Sequence, residues 1–219
     1  MSAIDKRKIF VFVIETGIKL EANNVTICSA VVLTHRVLRK SVSEGLCPYT
    51  AASACILLAA KVEEDSSVRI RDVLNIAYSV LHPDDPMLEI GEKLWAMRNG
   101  LARMEYIVLR ILRFKLKVDN PHNYLALYLS SLGHWMPREF KENHVGVTAF
   151  ILLRDIHVSP RWVLSHSPQT VALVCLAVAL RITRVSINVE WQRVFNESLS
   201  SSRMRSLEAE LLRHISGDS

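Results

Sequence analysis

Two fifteen-residue segments of this chain are apolar on all sides and rich in alanine. They are residues 48–62 (PYTAASACILLAAKV) and residues 168–182 (PQTVALVCLAVALRI). A helix without a polar face belongs at the centre of a bundle, where neighbouring helices cover every side. Small alanine side chains let those neighbours approach closely. Each segment therefore predicts the buried central helix of a helical bundle.

The two segments match each other at a constant offset of 120 residues. Both begin with proline, and the basic residues Lys61 and Arg181 lie at equivalent positions near their ends. Chance similarity of two alanine-rich helices is the alternative, but the shared proline start and basic end favour duplication. The repeat is much longer than the roughly 20 to 50 residues of a solenoid unit. We therefore predict two copies of a whole helical bundle.

Apolar residues recur at helical spacing through the rest of the chain, and no segment requires a strand. The predicted fold is all-α. We expect helices at residues 5–21, 25–40, 48–64, 69–82, 88–113, 120–131, 139–157, 168–184, 190–197 and 203–215. The serines 200–202 are suited to cap the last of these helices. The stretch from Gly133 to Pro137 interrupts the pattern and predicts the joint between the two halves.

Composition and motifs exclude several classes of protein. The longest apolar stretch, residues 170–180, is far shorter than the roughly 20 residues that cross a bilayer. The four cysteines include no C-x-x-C pair, which favours a reducing, intracellular compartment, the nucleus or the cytoplasm. Motifs of phosphate-binding loops, nucleophile elbows and zincin sites are absent from the sequence. We therefore expect a non-catalytic protein without a cofactor or a metal.

Two charged residues are predicted to lie next to the apolar face of their helices, whereas charged residues usually lie on the opposite face. Lys61 ends the first central helix, and Glu105 has leucine and valine neighbours three and four residues away. Charges in such positions need partners. Spacing alone favours pairing with each other, or extension into water, over contact with another molecule.

Several segments resemble the cyclin box of the transcription-type cyclins. In the first half they are TICSAVVLTHRVL (26–38), LLAAKVEE (57–64), RIRDVLNIAYSVLHP (69–83) and ARMEYIVLRILRFKL (102–116). The second half is similar more weakly, through NPHNYLALYLSSL (120–132), VTAFILLRD (147–155) and WQRVFN (191–196). Within the cyclin family, the chain most resembles the subgroup called cyclin Q or cyclin M.

The resemblance implies tandem cyclin boxes, each a five-helix bundle, with an N-terminal helix before them. We expect the N-terminal helix at residues 1–22, the first cyclin box at 23–132 and the second at 138–216. The resemblance also implies that the protein is a regulatory subunit that binds and activates a cyclin-dependent Ser/Thr protein kinase. Such a subunit holds the kinase's regulatory helix in the active position. Similarity to cyclin Q points to cyclin-dependent kinase 10 as the partner.

In cyclins, the lysine of the K-V-E-E string and the glutamate of the M-E string hold the kinase helix. These motif positions are Lys61 and Glu105 here. The apolar positions of the same face are Leu58, Val62, Leu109, Phe114 and Leu116. With a kinase helix against this face, both charges gain hydrogen-bonded partners, so the resemblance reverses the preference drawn from spacing.

One motif of the cell-cycle cyclins is missing. Their first helix carries M-R-A-I-L, and residues 5–9 here read D-K-R-K-I. A peptide that docked on these residues would have to desolvate charges, so this kind of substrate docking is not expected.

Two alternatives remain at this point. A net charge of +5, with a cluster at Arg110, Arg113, Lys115 and Lys117, permits a nucleic-acid-binding transcription factor built on cyclin boxes. Most other basic residues alternate with acids, and no ordered aromatic platform accompanies the cluster, which argues against this reading. A purely structural helical scaffold would instead cover the Lys61 face with its own chain.

Overall fold

A computed structural model describes residues 3–40, 45–187, 190–197 and 199–216. These residues form twelve helices and contain no strand, so the predicted all-α class is confirmed. The helices are α1 (Ala3–Lys19), α2 (Asn24–Lys40), α3 (Pro48–Val62), α4 (Ile70–Leu81), α5 (Glu92–Leu112), α6 (His122–Trp135), α7 (Pro137–Glu142), α8 (Val145–Ile156), α9 (Pro160–Ser165), α10 (Pro168–Ile182), α11 (Trp191–Phe195) and α12 (Ser201–Ser216). Within these ranges, no helix has both the length and the apolar character needed to cross a membrane.

Proline begins four of the helices. Pro48, Pro137, Pro160 and Pro168 are the first residues of α3, α7, α9 and α10. The proline ring fixes φ near its helical value, and the first N–H of a helix has no intrahelical acceptor to lose. Pro160 is therefore a sequence signal for α9, a helix that the apolar spacing does not predict.

The first compact unit, Met1–Val118, is organised around α3. Helices α1, α2, α4 and α5 all pack against it. Ten consecutive α3 residues, 51–60, are buried, as expected for a helix without a polar face. The apolar stripes of α4 and α5 supply part of the cover, through buried residues that include Val73 and Val108.

The second compact unit, Asp119–Ser219, is organised around α10 in the same way. Helices α6, α8, α9 and α12 pack against it, and residues 171–180 are buried. The side chain of Trp162, from α9, is among the largest that are fully buried. At the start of α12, the Arg203 amide donates to Ser200 Oγ at 3.3 Å, so the predicted serine cap is formed.

The internal repeat is present in the backbone. Helices α3 and α10 have the same length, and their bounds differ by the predicted 120 residues at both ends. Both are followed by a left-handed residue two positions on, Glu64 with φ 54° and Arg184 with φ 57°. In each turn, the next amide donates to a carbonyl five residues back at 2.9 Å. The two central helices therefore end in the same way.

The compact units differ from the predicted division at two helices. The units separate between Val118 and Asp119, whereas the sequence pattern placed the joint at 133–137. Helix α6 packs on α8 and α10, so it belongs with the second unit. Helix α1, expected as a separate N-terminal helix, packs on α2, α3 and α4. In the described parts of the chain, the first unit then has five helices, α1–α5, and the second has seven, α6–α12. Helix α6 is the counterpart of α1, because it packs on α8 and α10 as α1 packs on α2 and α3.

One predicted helix is divided in the structure. The range 139–157 contains the end of α7 and the whole of α8, separated by a short turn. His144 in that turn has φ 53°, a left-handed conformation that a continuous helix does not contain. The apolar pattern runs through this break, which is why spacing alone did not reveal it.

Candidate functional site

The two charges singled out in the sequence meet on the surface of the first unit. Lys61 lies in the last turn of α3, and Glu105 lies in the middle of α5, 44 residues later. The packing of α5 on α3 brings Lys61 Nζ into an ion pair with Glu105 Oε1. The pairing that spacing favoured is therefore present.

The pair is asymmetric in its exposure. The Lys61 side chain is 63% exposed, whereas the Glu105 side chain is only 15% exposed. An ammonium group carries three N–H donors, and Glu105 engages Lys61 through one oxygen. Lys61 therefore retains donors that face solvent while its charge stays anchored at the end of α3.

A buried carboxylate fixes the turn that follows Lys61. Asp65 accepts hydrogen bonds from the Asn23 amide and from Thr26 Oγ1, each at 2.8 Å, and from Ser67 Oγ at 2.6 Å. Burial favours the neutral acid, but these hydrogen bonds outweigh it and lower the pKa of Asp65. The turn is thereby tied to the start of α2.

A second hydrogen bond links the same two elements. Ser29 Oγ, on α2, donates to Glu63 Oε1 at 2.6 Å. The sequence pattern alone predicts no role for Asp65 or for Ser29. An acidic residue after a helix end is ordinarily solvated, so the sequence around Asp65 does not indicate a buried carboxylate. Only the long-range hydrogen bonds to residues 23, 26 and 29 show that this turn is fastened to the start of α2.

A surface groove runs beside the ion pair. It has a volume of about 450 Å³, and we call it the first groove. It is lined by Leu57, Ala60, Lys61, Glu64, Asp65, Ser66, Val68, Ile70 and Glu105. Of the residues predicted to bind a partner, Lys61 and Glu105 line this groove.

The five predicted apolar residues have different exposures. Val62 is 41% exposed and Phe114 is 70% exposed, whereas Leu109 and Leu116 are half-buried. Leu58 is 3% exposed and belongs to the core of the first unit. Leu58 can therefore support such a surface from below but offers almost no contact area itself.

A family model named "Cyclin, N-terminal domain" matches residues 3–117, which is more than half of the chain. The chain belongs to the cyclin family. Members of this family are non-catalytic regulatory subunits of kinases. The match covers the first groove and the Lys61–Glu105 pair.

Relatives of the transcription type extend the similarity beyond the first unit. Cyclin-T1 of Mus musculus is 25% identical over 176 residues, covering 80% of this cyclin and 23% of that protein. Cyclin pch1 of Schizosaccharomyces pombe is 25% identical over 181 residues, covering 81% and 50%. This cyclin thus spans about a quarter to a half of the length of these relatives.

The fold is also found in a solved structure. A chain of the yeast RNA Pol II CTD kinase CTDK-1 complex superposes with a TM-score of 0.69 at 16% identity. The match covers 96% of this cyclin and 64% of that chain. These comparisons do not favour the nucleic-acid-binding alternative.

In this cyclin, the chain after α5 is held by two cations of α2. Arg36 donates to the carbonyl oxygens of Lys115 and Lys117, at 3.4 and 3.2 Å, and Lys40 donates to the Ile111 carbonyl at 3.3 Å. Burial lowers the pKa of Arg36. These contacts satisfy carbonyls at the end of α5, where the helix dipole favours positive charge.

The same contacts position Phe114. Its amide donates to the Leu109 carbonyl at 3.0 Å, and its φ of 58° is left-handed. A bulky residue in this conformation is uncommon, because its Cβ crowds the backbone. The turn therefore holds Phe114, whose side chain is 70% exposed, at the end of α5. Tyr106, 71% exposed on α5, is a further large side chain that was not among the predicted partner-binding residues.

The positions of the missing docking motif present charge. On α1, Lys6, Arg7 and Lys8 are exposed, whereas Ile9 is 1% exposed. The side chain of Asp5 lies outside the described residues.

Proposed function

We propose that this cyclin is a regulatory subunit that binds and activates a cyclin-dependent Ser/Thr protein kinase. It does so by holding the kinase's regulatory helix in the active position. The observation that carries the proposal is the Lys61–Glu105 pair, which anchors an exposed cation at the rim of the first groove. Membership of the cyclin family supports the class of partner. The similarity to transcription-type cyclins supports a role in the nucleus.

The proposed mechanism acts on a conformational equilibrium of the kinase. Phosphoryl transfer requires a lysine of the kinase sheet to pair with a glutamate of the regulatory helix. A subunit that contacts only the inward position of that helix shifts the kinase population toward the active form. A shift from mostly inactive to mostly active requires a difference in binding free energy of about 5 kcal/mol.

The proposed contacts divide between charged and apolar residues. Lys61 has N–H donors available for carbonyl groups of the kinase helix, and Glu105 has carboxylate oxygens for its N–H groups. Val62, Phe114 and the half-buried leucines supply apolar area that a helix would remove from water. Exposed apolar area bounded by a few strong polar anchors is the usual composition of a tight interface.

The identity of the kinase is a finer proposal. The resemblance to cyclin Q in the strings LLAAKVEE and ARMEYIVLRILRFKL supports cyclin-dependent kinase 10. The cyclin itself would contribute no catalytic group, so the phosphoryl transfer would take place entirely within the kinase.

Capture of the intact protein from cell extract tests the proposal. We expect a cyclin-dependent kinase to co-purify, and identification by mass spectrometry will name it. The variants Lys61→Glu and Glu105→Lys are expected to weaken association by about 30-fold or more, because each leaves a desolvated charge unpaired at the interface.

The matched control is Arg181→Glu, which makes the same charge change at the equivalent position of the other unit. It should retain the kinase. All three variants should keep the wild-type helicity, with melting temperatures within about 3 °C. Lys61 and Arg181 are exposed, and a lysine at position 105 can extend its ammonium group to water. Undiminished kinase activation by Lys61→Glu would remove this residue from the binding site.

A further inference from the structure

The second unit contains a groove in the same place as the first groove. It has a volume of about 360 Å³ and lies between α10, α11, α12 and the segment after α10. We call it the second groove. Five lining positions of the two grooves correspond at the offset of 120: 57 with 177, 60 with 180, 61 with 181, 65 with 185 and 66 with 186. The duplication therefore extends from the central helix to the surface depression beside it.

The ion pair is duplicated as well. Arg181 of α10 pairs with Glu208 of α12 at 3.8 Å. The arginine side chain is 68% exposed and the glutamate side chain 16% exposed, which nearly repeats the values of 63% and 15% for Lys61 and Glu105. Both grooves thus have an exposed cation at the end of the central helix and a covered glutamate from the last helix of the unit.

The charge of the two grooves is opposite. In the first groove, Lys61 faces three acids, Glu64, Asp65 and Glu105. In the second groove, Arg181 and Arg205 face one acid, Glu208. Burial raises the pKa of Glu208, against the lowering effect of Arg181 and Arg205. Ligands that differ in charge are therefore expected to fit the two grooves.

The floor of the second groove is apolar. Leu180, Trp191 and Met204 are buried there, and Val185 and Ile187 are half-buried at its edge. Val185 takes the place of the buried Asp65 of the first groove, which removes an acid from the lining. The buried floor residues support the groove from below, so a ligand is expected to bring apolar side chains to Val185 and Ile187 and carboxylates to the rim.

We propose that the second groove binds an acidic amphipathic helix of a partner protein, with apolar side chains on the floor and carboxylates beside Arg181 and Arg205. A helix is the fitting ligand because the groove lies between helices. The described residues also contain no strand edge for an extended peptide. The choice of a helix rests on the proposed function of the first groove, whereas the acidic character rests on the lining charges alone.

Two designed peptides test this proposal. Both carry the same leucine and phenylalanine face, and their flanking positions are all glutamate in one and all lysine in the other. Fluorescence anisotropy with the full chain is expected to show at least about tenfold tighter binding of the glutamate peptide. In amide NMR spectra, this peptide should shift residues 177–187 and 201–208.

The variants locate the contact. Arg181→Glu and the milder Arg181→Ala should each weaken binding of the glutamate peptide, by about tenfold and about threefold. Arg203→Glu makes the same charge change on an exposed position of α12 outside the groove, so it should leave the affinity unchanged. Melting temperatures of all three variants show whether the fold is intact.

Several results would overturn the proposal. Equal binding of the two peptides would show a groove without charge selection, and shifts confined to residues 57–70 would place the peptide in the first groove. Self-association that Arg181→Glu abolishes would assign the second groove to another copy of this cyclin. The kinase assay with Lys61→Glu is independent, so loss of either groove's function is detected separately.

Discussion

The turns after α3 and α10 share a backbone but differ in chemistry. Glu64 and Arg184 have nearly the same left-handed φ, and the same pattern of backbone hydrogen bonds closes both turns. In the first unit, the residue that follows is Asp65, which fastens the turn to α2 by hydrogen bonds. In the second unit it is Val185, which is half-buried.

The comparison shows which features of a repeat its core dictates. The apolar central helix and the left-handed residue after it fix the course of the backbone in both units. The side chains on that backbone are free to differ, so one turn is held by a carboxylate and the other by apolar contact. Because the same positions line the two grooves, this difference also sets the charge that each groove presents.

Acid is expected to affect the second unit most strongly. Burial lowers the pKa of His122 to about 4, aided by the neighbouring His157, and burial also lowers the pKa of His157 to about 4. Both rings are neutral in the folded protein, whereas the unfolded chain binds protons below a pH of about 6.5. Stability is therefore complete above that pH and is lost as the pH falls toward 4.

The loss should reach about 3 kcal/mol for each histidine near pH 4. Urea unfolding at several pH values, followed by amide exchange in α6, α8 and α10, measures it. His122→Phe should remove about half of the loss, because neither ring nitrogen of His122 has a hydrogen-bond partner and the ring stacks near Phe150. An unfolding free energy that stays constant between pH 7 and 4.5 would contradict this account.

Overpacking of the central helices is the next largest expected effect. Ala59 and Ala179 are equivalent and fully buried, so a leucine at either position has no space. Ala59→Leu and Ala179→Leu should each cost about 3 kcal/mol, since the neighbouring helices must shift. Ala96→Leu on the exposed side of α5 is the control and should cost less than about 0.5 kcal/mol. A large difference between the two core variants, measured by urea unfolding, would break the equivalence of the units.

Substitutions of Asp65 and Val185, which follow the left-handed residues of the two turns, should change the free energy of unfolding by less. Asp65→Val leaves the Asn23 amide and the Thr26 hydroxyl without their acceptor, at a cost of about 2 kcal/mol. Val185→Asp should also destabilise, because it puts a carboxylate in a half-buried apolar position. Asp65→Asn, which keeps one acceptor oxygen, should lie between wild type and Asp65→Val. A neutral effect of Asp65→Val in thermal unfolding would show that the hydrogen bonds to α2 are dispensable.

The sequence revealed the units because their centres are unusual. A helix with no polar face has few possible places in a fold, and the offset between residues 48–62 and 168–182 predicted both central helices at their observed bounds or within two residues. Spacing alone favoured the pairing of Lys61 with Glu105, whereas the cyclin resemblance assigned both residues to contact with a kinase helix. The division between the units was harder to predict from the sequence. The packing of α1 and α6 decides which bundle each of them joins, and apolar spacing does not show that packing.

Only part of the second groove could be predicted from the sequence. The offset related Arg181 to Lys61, but Glu208 does not lie 120 residues after Glu105. The segment between α10 and α12 is shorter than the one between α3 and α5, so the repeat loses its register before the glutamate. Only the packing of α12 on α10 shows that the two ion pairs are equivalent.

The double variant that exchanges the charges, Lys61→Glu with Glu105→Lys, tests the central claim most directly. If the pair only fastens α5 to α3, the reversed pair restores whatever the single variants lose. If Lys61 and Glu105 contact the kinase, the reversed pair keeps a melting temperature near wild type but leaves kinase binding about 30-fold or more below wild type. We expect the second result in a titration of this cyclin into the purified kinase. Recovery of wild-type kinase affinity by the double variant would contradict it.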